Sequence, residues 1–131
     1  MRQIKPGFFR NEELFDLERE TGLPIRVAYA GIWTVADKAG RFEWKPRTIK
    51  SDVLPFDDVD FSRVLDALTT RGFLVRYEVD GRSIGCISSW HKHQSPNPRE
   101  WESELPPPPE SSSNELLDAW RTRGGRVLYQ E

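Results

Sequence analysis

Apolar side chains at Ile25, Ala28, Tyr29, Ile32, Trp33 and Ala36 recur at intervals of three and four, while Arg26, Thr34, Asp37 and Lys38 fall elsewhere. That spacing lines one face of a helix. Leu23-Pro24 places a proline in its first turn, and Ala39-Gly40 ends it. Ahead of it, residues 3–9 read as a short extended arm, and Asn11 caps a helix over 12–20 that Thr21-Gly22 breaks. Arg41-Phe42-Glu43-Trp44 alternates and predicts a small edge strand. Residues 46–54 suit a two-turn helix with Ile49 and Val53 inward, stopped by Pro55. Asp57, Asp58 and Asp60 supply capping carboxylates for a helix over 59–71, whose buried stripe is Phe61, Val64, Leu65 and Leu68, with Arg71-Gly72 at its end. Phe73, Val75, Tyr77 and Val79 then alternate with Leu74, Arg76 and Glu78. Asp80-Gly81 is a two-residue hairpin turn, and the strand returns over 82–89 to end at residues 90–94.

The order helix, strand, helix, turn, helix, strand, turn, strand predicts an α+β fold: a winged helix-turn-helix with a two-stranded β-hairpin wing, an extra N-terminal helix and a Pro-rich C-terminal tail. Residues 46–54 are the first helix of the motif, 55–58 the turn and 59–71 the helix that enters a major groove. The compact domain is expected over 1–95. Ser95-Pro96-Asn97-Pro98 marks its exit, followed over 96–131 by a linker biased toward proline (106–109) and serine (111–113) and a short tail.

A chain of 131 residues with one cysteine, Cys86, has no internal disulfide framework and reads as a protein of a reducing cytoplasm. The longest apolar stretch, Val27 to Trp33, is far short of a membrane span, and the N-terminal residues lack the apolar run of a signal peptide. A formal charge of −2 argues at first against nucleic acid. The charge is segregated, however: Lys38 to Lys50 carries five basic residues and one acid, whereas Asp52 to Asp66 carries five acids and one arginine.

The stretches Ile4-Lys5-Pro6-Gly7-Phe8-Phe9-Arg10-Asn11-Glu12-Glu13-Leu14, Gly31-Ile32-Trp33-Thr34-Val35-Ala36-Asp37, Phe56-Asp57-Asp58-Val59-Asp60, Gly72-Phe73-Leu74-Val75-Arg76-Tyr77 and Lys92-His93-Gln94-Ser95-Pro96 resemble bacteriophage and prophage winged-helix proteins related to replication initiators. The resemblance spans roughly residues 2–110 and is to a replisome-organiser-like N-terminal domain. It implies binding of double-stranded DNA in phage replication initiation or its regulation, in the cytoplasm of a bacterial host. In such proteins the module often precedes a separate C-terminal region, which here is a short tail.

A duplex binder needs cations for phosphate and forked or short polar side chains for base edges. Lys45, Arg47 and Lys50 are the backbone candidates, and Arg63, Thr69, Thr70 and Arg71 lie off the apolar stripe of the third helix, with Arg63 placed for guanine. Arg76 and Arg82 lie on the wing, while Arg2 and Lys5 form a candidate basic arm. The bland alternative is a solvated helix face. His91, His93 and Cys86 suggest zinc but lack a fourth ligand, and helix capping accounts for the aspartates that magnesium would need, so neither metal nor cofactor is expected. No phosphate loop or nucleophile elbow appears, so the chain is not expected to be an enzyme. Trp33, Trp44 and Phe61 are expected in the core. Trp101 and Trp120 lie beyond it and suit a protein partner, from replication or from the host. Two functions follow: a duplex binder assembling on repeated sites as a homo-oligomer, or the same fold used as a protein-interaction or oligomerisation adaptor.

Overall fold

Proline presets the backbone angle of a helix's first turn, and Pro6 does so for α1 (Pro6–Phe9). Residues 3–9, expected as an extended arm, therefore contain a short helix. Phe8 holds it there, its ring 6.4 Å from Tyr29 and 5.3 Å from Trp33. In the computed structural model, which describes residues 2–96 and 98–109 and the backbone of 122–123 and 126–127, the fold is mixed α+β. Among the described residues are six helices, a three-stranded antiparallel sheet and a pair of two-residue strands, β4 (Thr122–Arg123) and β5 (Arg126–Val127).

α2 (Glu12–Thr21) begins where the Asn11 side chain accepts a hydrogen bond from the Leu14 N–H at 3.1 Å, and ends at Gly22, which has φ 71°. α3 (Ile25–Val35) buries Ile25, Ala28, Tyr29, Ile32 and Trp33 as the periodicity predicts. Pro24 is its N-cap rather than part of its first turn and offers no side-chain cap. A carboxylate of the preceding helix serves instead: Glu18 accepts the Arg26 N–H at 2.9 Å and the Arg26 guanidinium at 2.8 Å. α3 stops at Val35, before the expected Ala39-Gly40, because Ala36 is extended and the Asp37 carboxylate accepts the N–H groups of Ala39 and Arg41 at 2.9 and 3.0 Å. Gly40 follows with φ 80°, where an added Cβ would lie 2.6 Å from the Trp90 ring.

β1 (Arg41–Glu43) leads into α4 (Pro46–Val53), and α5 (Phe61–Thr70) carries the expected buried stripe Phe61, Val64, Leu65 and Leu68. α4 crosses α3 closely at Gly31, where a Cβ would come within 2.3 Å of Val53. The connection over 54–60 is longer than the expected 55–58. Leu54 is buried there, and Asp60, not Asp57 or Asp58, caps α5 by accepting the Ser62 N–H at 3.0 Å. β2 (Leu74–Val79) and β3 (Arg82–Ile87) form the predicted hairpin, with Asp80 at φ 52° and Gly81 at φ 74°, both in the left-handed region that a two-residue hairpin turn of this kind requires. The chain then forms α6 (Trp90–His93) where a strand end was expected, and the Trp90 indole donates to the Lys38 carbonyl at 2.8 Å.

The sheet order is β1-β3-β2. Phe42, Trp44, Leu74 and Ile87 face the helical core, while Tyr77, Ile84 and Cys86 form a second cluster on the outer face. That outer face is covered by the chain after Pro98. Leu105 packs on the cluster, Tyr77 OH donates to the Pro106 carbonyl at 2.7 Å, and Arg41 donates to the Leu105 carbonyl at 3.0 Å. Arg2 pairs with Glu100 and Lys38 with Glu102. The chain therefore does not leave the compact unit at residues 95–98 as expected, because two apolar sheet faces need two covers.

The Glu18 carboxyl is held below its ordinary value of 4.5, chiefly by the hydrogen bond from the Arg26 side chain. A carboxyl depressed by folding stabilises above its unfolded pKa and loses that contribution as pH falls through the folded value. Glu18→Gln is expected to cost about 1 kcal/mol at neutral pH and progressively less below pH 4.5. Thermal melts of both proteins at about pH 7 and about pH 3 check this; an equal difference at the two values contradicts it.

Candidate nucleic-acid interface

The polar side of α5 carries Ser62, Arg63, Asp66 and Thr70, all exposed and none covered by another described segment. Arg63 is in the first turn and makes no ion pair among the described residues. It shares a cleft of about 610 Å³ with Glu18, Asp57, Asp58 and Asp60, so the entrance to this helix is electronegative. Thr69 is half-buried, and its hydroxyl donates to the Leu65 carbonyl of its own helix at 2.8 Å. Arg71 is turned away onto α2, where it pairs with Glu20.

α4 carries the remaining helix candidates. Arg47 is exposed at its start, with no ion pair among the described residues. Lys50 is half-buried, and its ammonium donates to the Leu54 carbonyl at 3.1 Å, closing the end of α4. On the hairpin, the Arg76 side chain donates to Ser83 Oγ at 2.7 Å and lies 5.0 Å from the centre of the Trp44 ring. Glu43 joins the other two: Arg82 donates to it at 3.1 Å and Lys45 lies 3.3 Å away. Its carboxyl is accordingly held below the ordinary range, first by the hydrogen bond from Arg82 and then by Lys45. One exposed carboxylate thus ties a residue at the start of α4 to the wing, an arrangement the sequence shows only as an acid alone among five cations.

The candidate arm is corrected. Arg2 does not reach outward: its guanidinium donates to the Ala36 carbonyl at 3.1 Å, pairs with Glu100 and lies over the Trp90 ring at 5.1 Å. Lys5 donates to the Lys92 carbonyl at 3.1 Å. Trp33, Trp44 and Phe61 are buried in the core as expected. Trp101 is 87% exposed on the returning segment, and Trp120 lies outside the described residues. The His93 ring lies tilted against Trp33 in the helical layer, with ring centres 4.8 Å apart, whereas Cys86 belongs to the outer sheet face, so these two candidate zinc ligands are not brought together. Among the described residues no cluster of three or more His, Cys, Asp or Glu side chains is arranged to hold a metal ion, and no helix is long and apolar enough to cross a membrane.

No family model, curated protein or solved structure matches the chain.

Burial pushes the Cys86 thiol up to about 12, which suppresses the reactive thiolate. Its cover includes Leu105, so Leu105→Ala is expected to raise the rate of Cys86 alkylation under native conditions roughly fivefold, the effect of losing about 1 kcal/mol of local packing. An unchanged alkylation rate would show that the returning segment does not protect this face.

Proposed function

We propose that this chain binds double-stranded DNA as a winged helix-turn-helix module. The observation that carries the reading is topological: α3, β1, α4, α5, β2 and β3 follow one another, with sheet order β1-β3-β2 and a tight hairpin after α5. In that reading α5 is the groove helix, the β2-β3 hairpin is the wing, and α4 sits across the backbone. Arg47 supplies a phosphate contact at the start of α4. Arg63 supplies the forked donor for a guanine edge, and Arg76 and Arg82 act along the wing. The carboxylates at the start of α5 and Glu43 on the β1 edge reduce non-specific attraction to phosphate, so binding rests on a few well-placed cations rather than on bulk charge. No catalytic role is assigned, and the biological setting proposed is initiation of phage replication or its regulation.

A second reading, an adaptor that uses the same fold for protein contact or self-association, is favoured by Phe56, which is 97% exposed in the connection between α4 and α5.

Fluorescence anisotropy on duplexes selected from random sequence by the full chain separates the two. For the first, affinity falls steeply between about 50 mM and about 200 mM salt, with a slope of about 0.9 per phosphate neutralised. Arg63→Ala weakens the selected site about tenfold, Arg47→Ala lowers the salt slope by about one, and Glu43→Gln raises affinity about threefold by releasing Lys45 and Arg82. Failure to select any duplex, with self-association in solution, supports the adaptor.

A further inference from the structure

The returning segment forms one wall of a groove of about 710 Å³ that β1 and α4 complete, and whose opposite rim carries Lys45 and Arg82 of the proposed duplex-binding face. Phe42, Ile49 and Leu105 are among its apolar lining residues. Its lip carries Trp101, 87% exposed and flanked on both sides by anchored neighbours, since Glu100 is paired with Arg2 and Glu102 with Lys38. A large aromatic ring presented on a fixed stretch of backbone, with little ordering entropy left to lose, is what a recognition hot spot requires.

The charge of the groove selects its occupant. Each of its four cations already has a partner in the protein: Lys38 has Glu102, Arg41 has the Leu105 carbonyl, and Lys45 and Arg82 share Glu43. The Asp52 and Glu104 side chains line the same groove and make no ion pair or hydrogen bond among the described residues. These two unpaired carboxylates, unlike the paired cations, are left to attract a cationic side chain. A guanidinium satisfies both features, because it stacks on an indole face and donates to a carboxylate in the same plane. We propose that this groove docks an arginine-bearing peptide segment of a partner protein, with the arginine stacked on Trp101 and paired with Asp52 or Glu104.

The test uses the full chain and a fluorescein-labelled peptide of three arginines spaced by glycines, with a lysine counterpart and a glutamate counterpart. The arginine peptide is expected to bind, the lysine peptide several-fold more weakly and the glutamate peptide not at all. Trp101→Ala is expected to weaken binding about tenfold, and the Asp52→Asn, Glu104→Gln double variant by a similar factor. Because Trp101 is exposed, its removal leaves the fold intact, which a thermal melt confirms. Duplex affinity measured on the same Trp101→Ala protein should stay within about twofold, so failure of peptide docking and failure of the duplex-binding reading are separately visible. No arginine-peptide binding, equal binding of the arginine and lysine peptides, or binding insensitive to Trp101→Ala overturns the proposal.

Discussion

β3 is paired on both edges and must be buried on both faces, and the rest of the molecule is arranged around that demand. Strand alternation sends Phe42, Trp44, Leu74 and Ile87 to one side and Tyr77, Ile84 and Cys86 to the other. The helices cover the first face. A three-stranded sheet of this length cannot leave the second open without exposing a contiguous apolar patch, and the segment over 98–106 closes it with one leucine and hydrogen bonds to its carbonyls. The same closure fixes Trp101 in place and draws Arg2 inward through Glu100.

Electrostatics then decides what the surfaces can meet. Most of the cations that composition offers to phosphate are spoken for: Lys50 by a helix carbonyl, Arg71 by Glu20, Lys45 and Arg82 by Glu43. Exposed ion pairs of this kind are weak in water, so a duplex can compete for their cations. They still lower the resting positive potential, so the proposed duplex binding would be selective rather than indiscriminate. The acids of the connection before α5 act in the same direction.

Much of this was legible in the residues. The three-and-four spacing in α3 and α5, the Asn11 cap and the Asp80-Gly81 turn each state a local preference that the folded chain keeps. What was not legible depends on partners distant in the chain. Glu18 caps a helix that is not its own, Glu43 bridges two elements, and Asp37 ends α3 early by turning the backbone. The segment over 98–106 reads as linker because its attachment is mainly through carbonyls and ion pairs rather than an apolar run. On the interface, sequence offered Arg47 for phosphate and put Arg63 off the apolar stripe but had no means of showing that Arg71, Thr69 and Arg2 are occupied elsewhere.

The most direct measurement is amide chemical-shift mapping of the full chain on addition of a short duplex carrying a selected sequence. Perturbations are expected to concentrate at the start of α4, along the exposed side of α5 and at the hairpin turn over 80–82, all reversed by added salt. Perturbations confined to the face over 98–106, or none at any duplex concentration, would contradict duplex binding through α5.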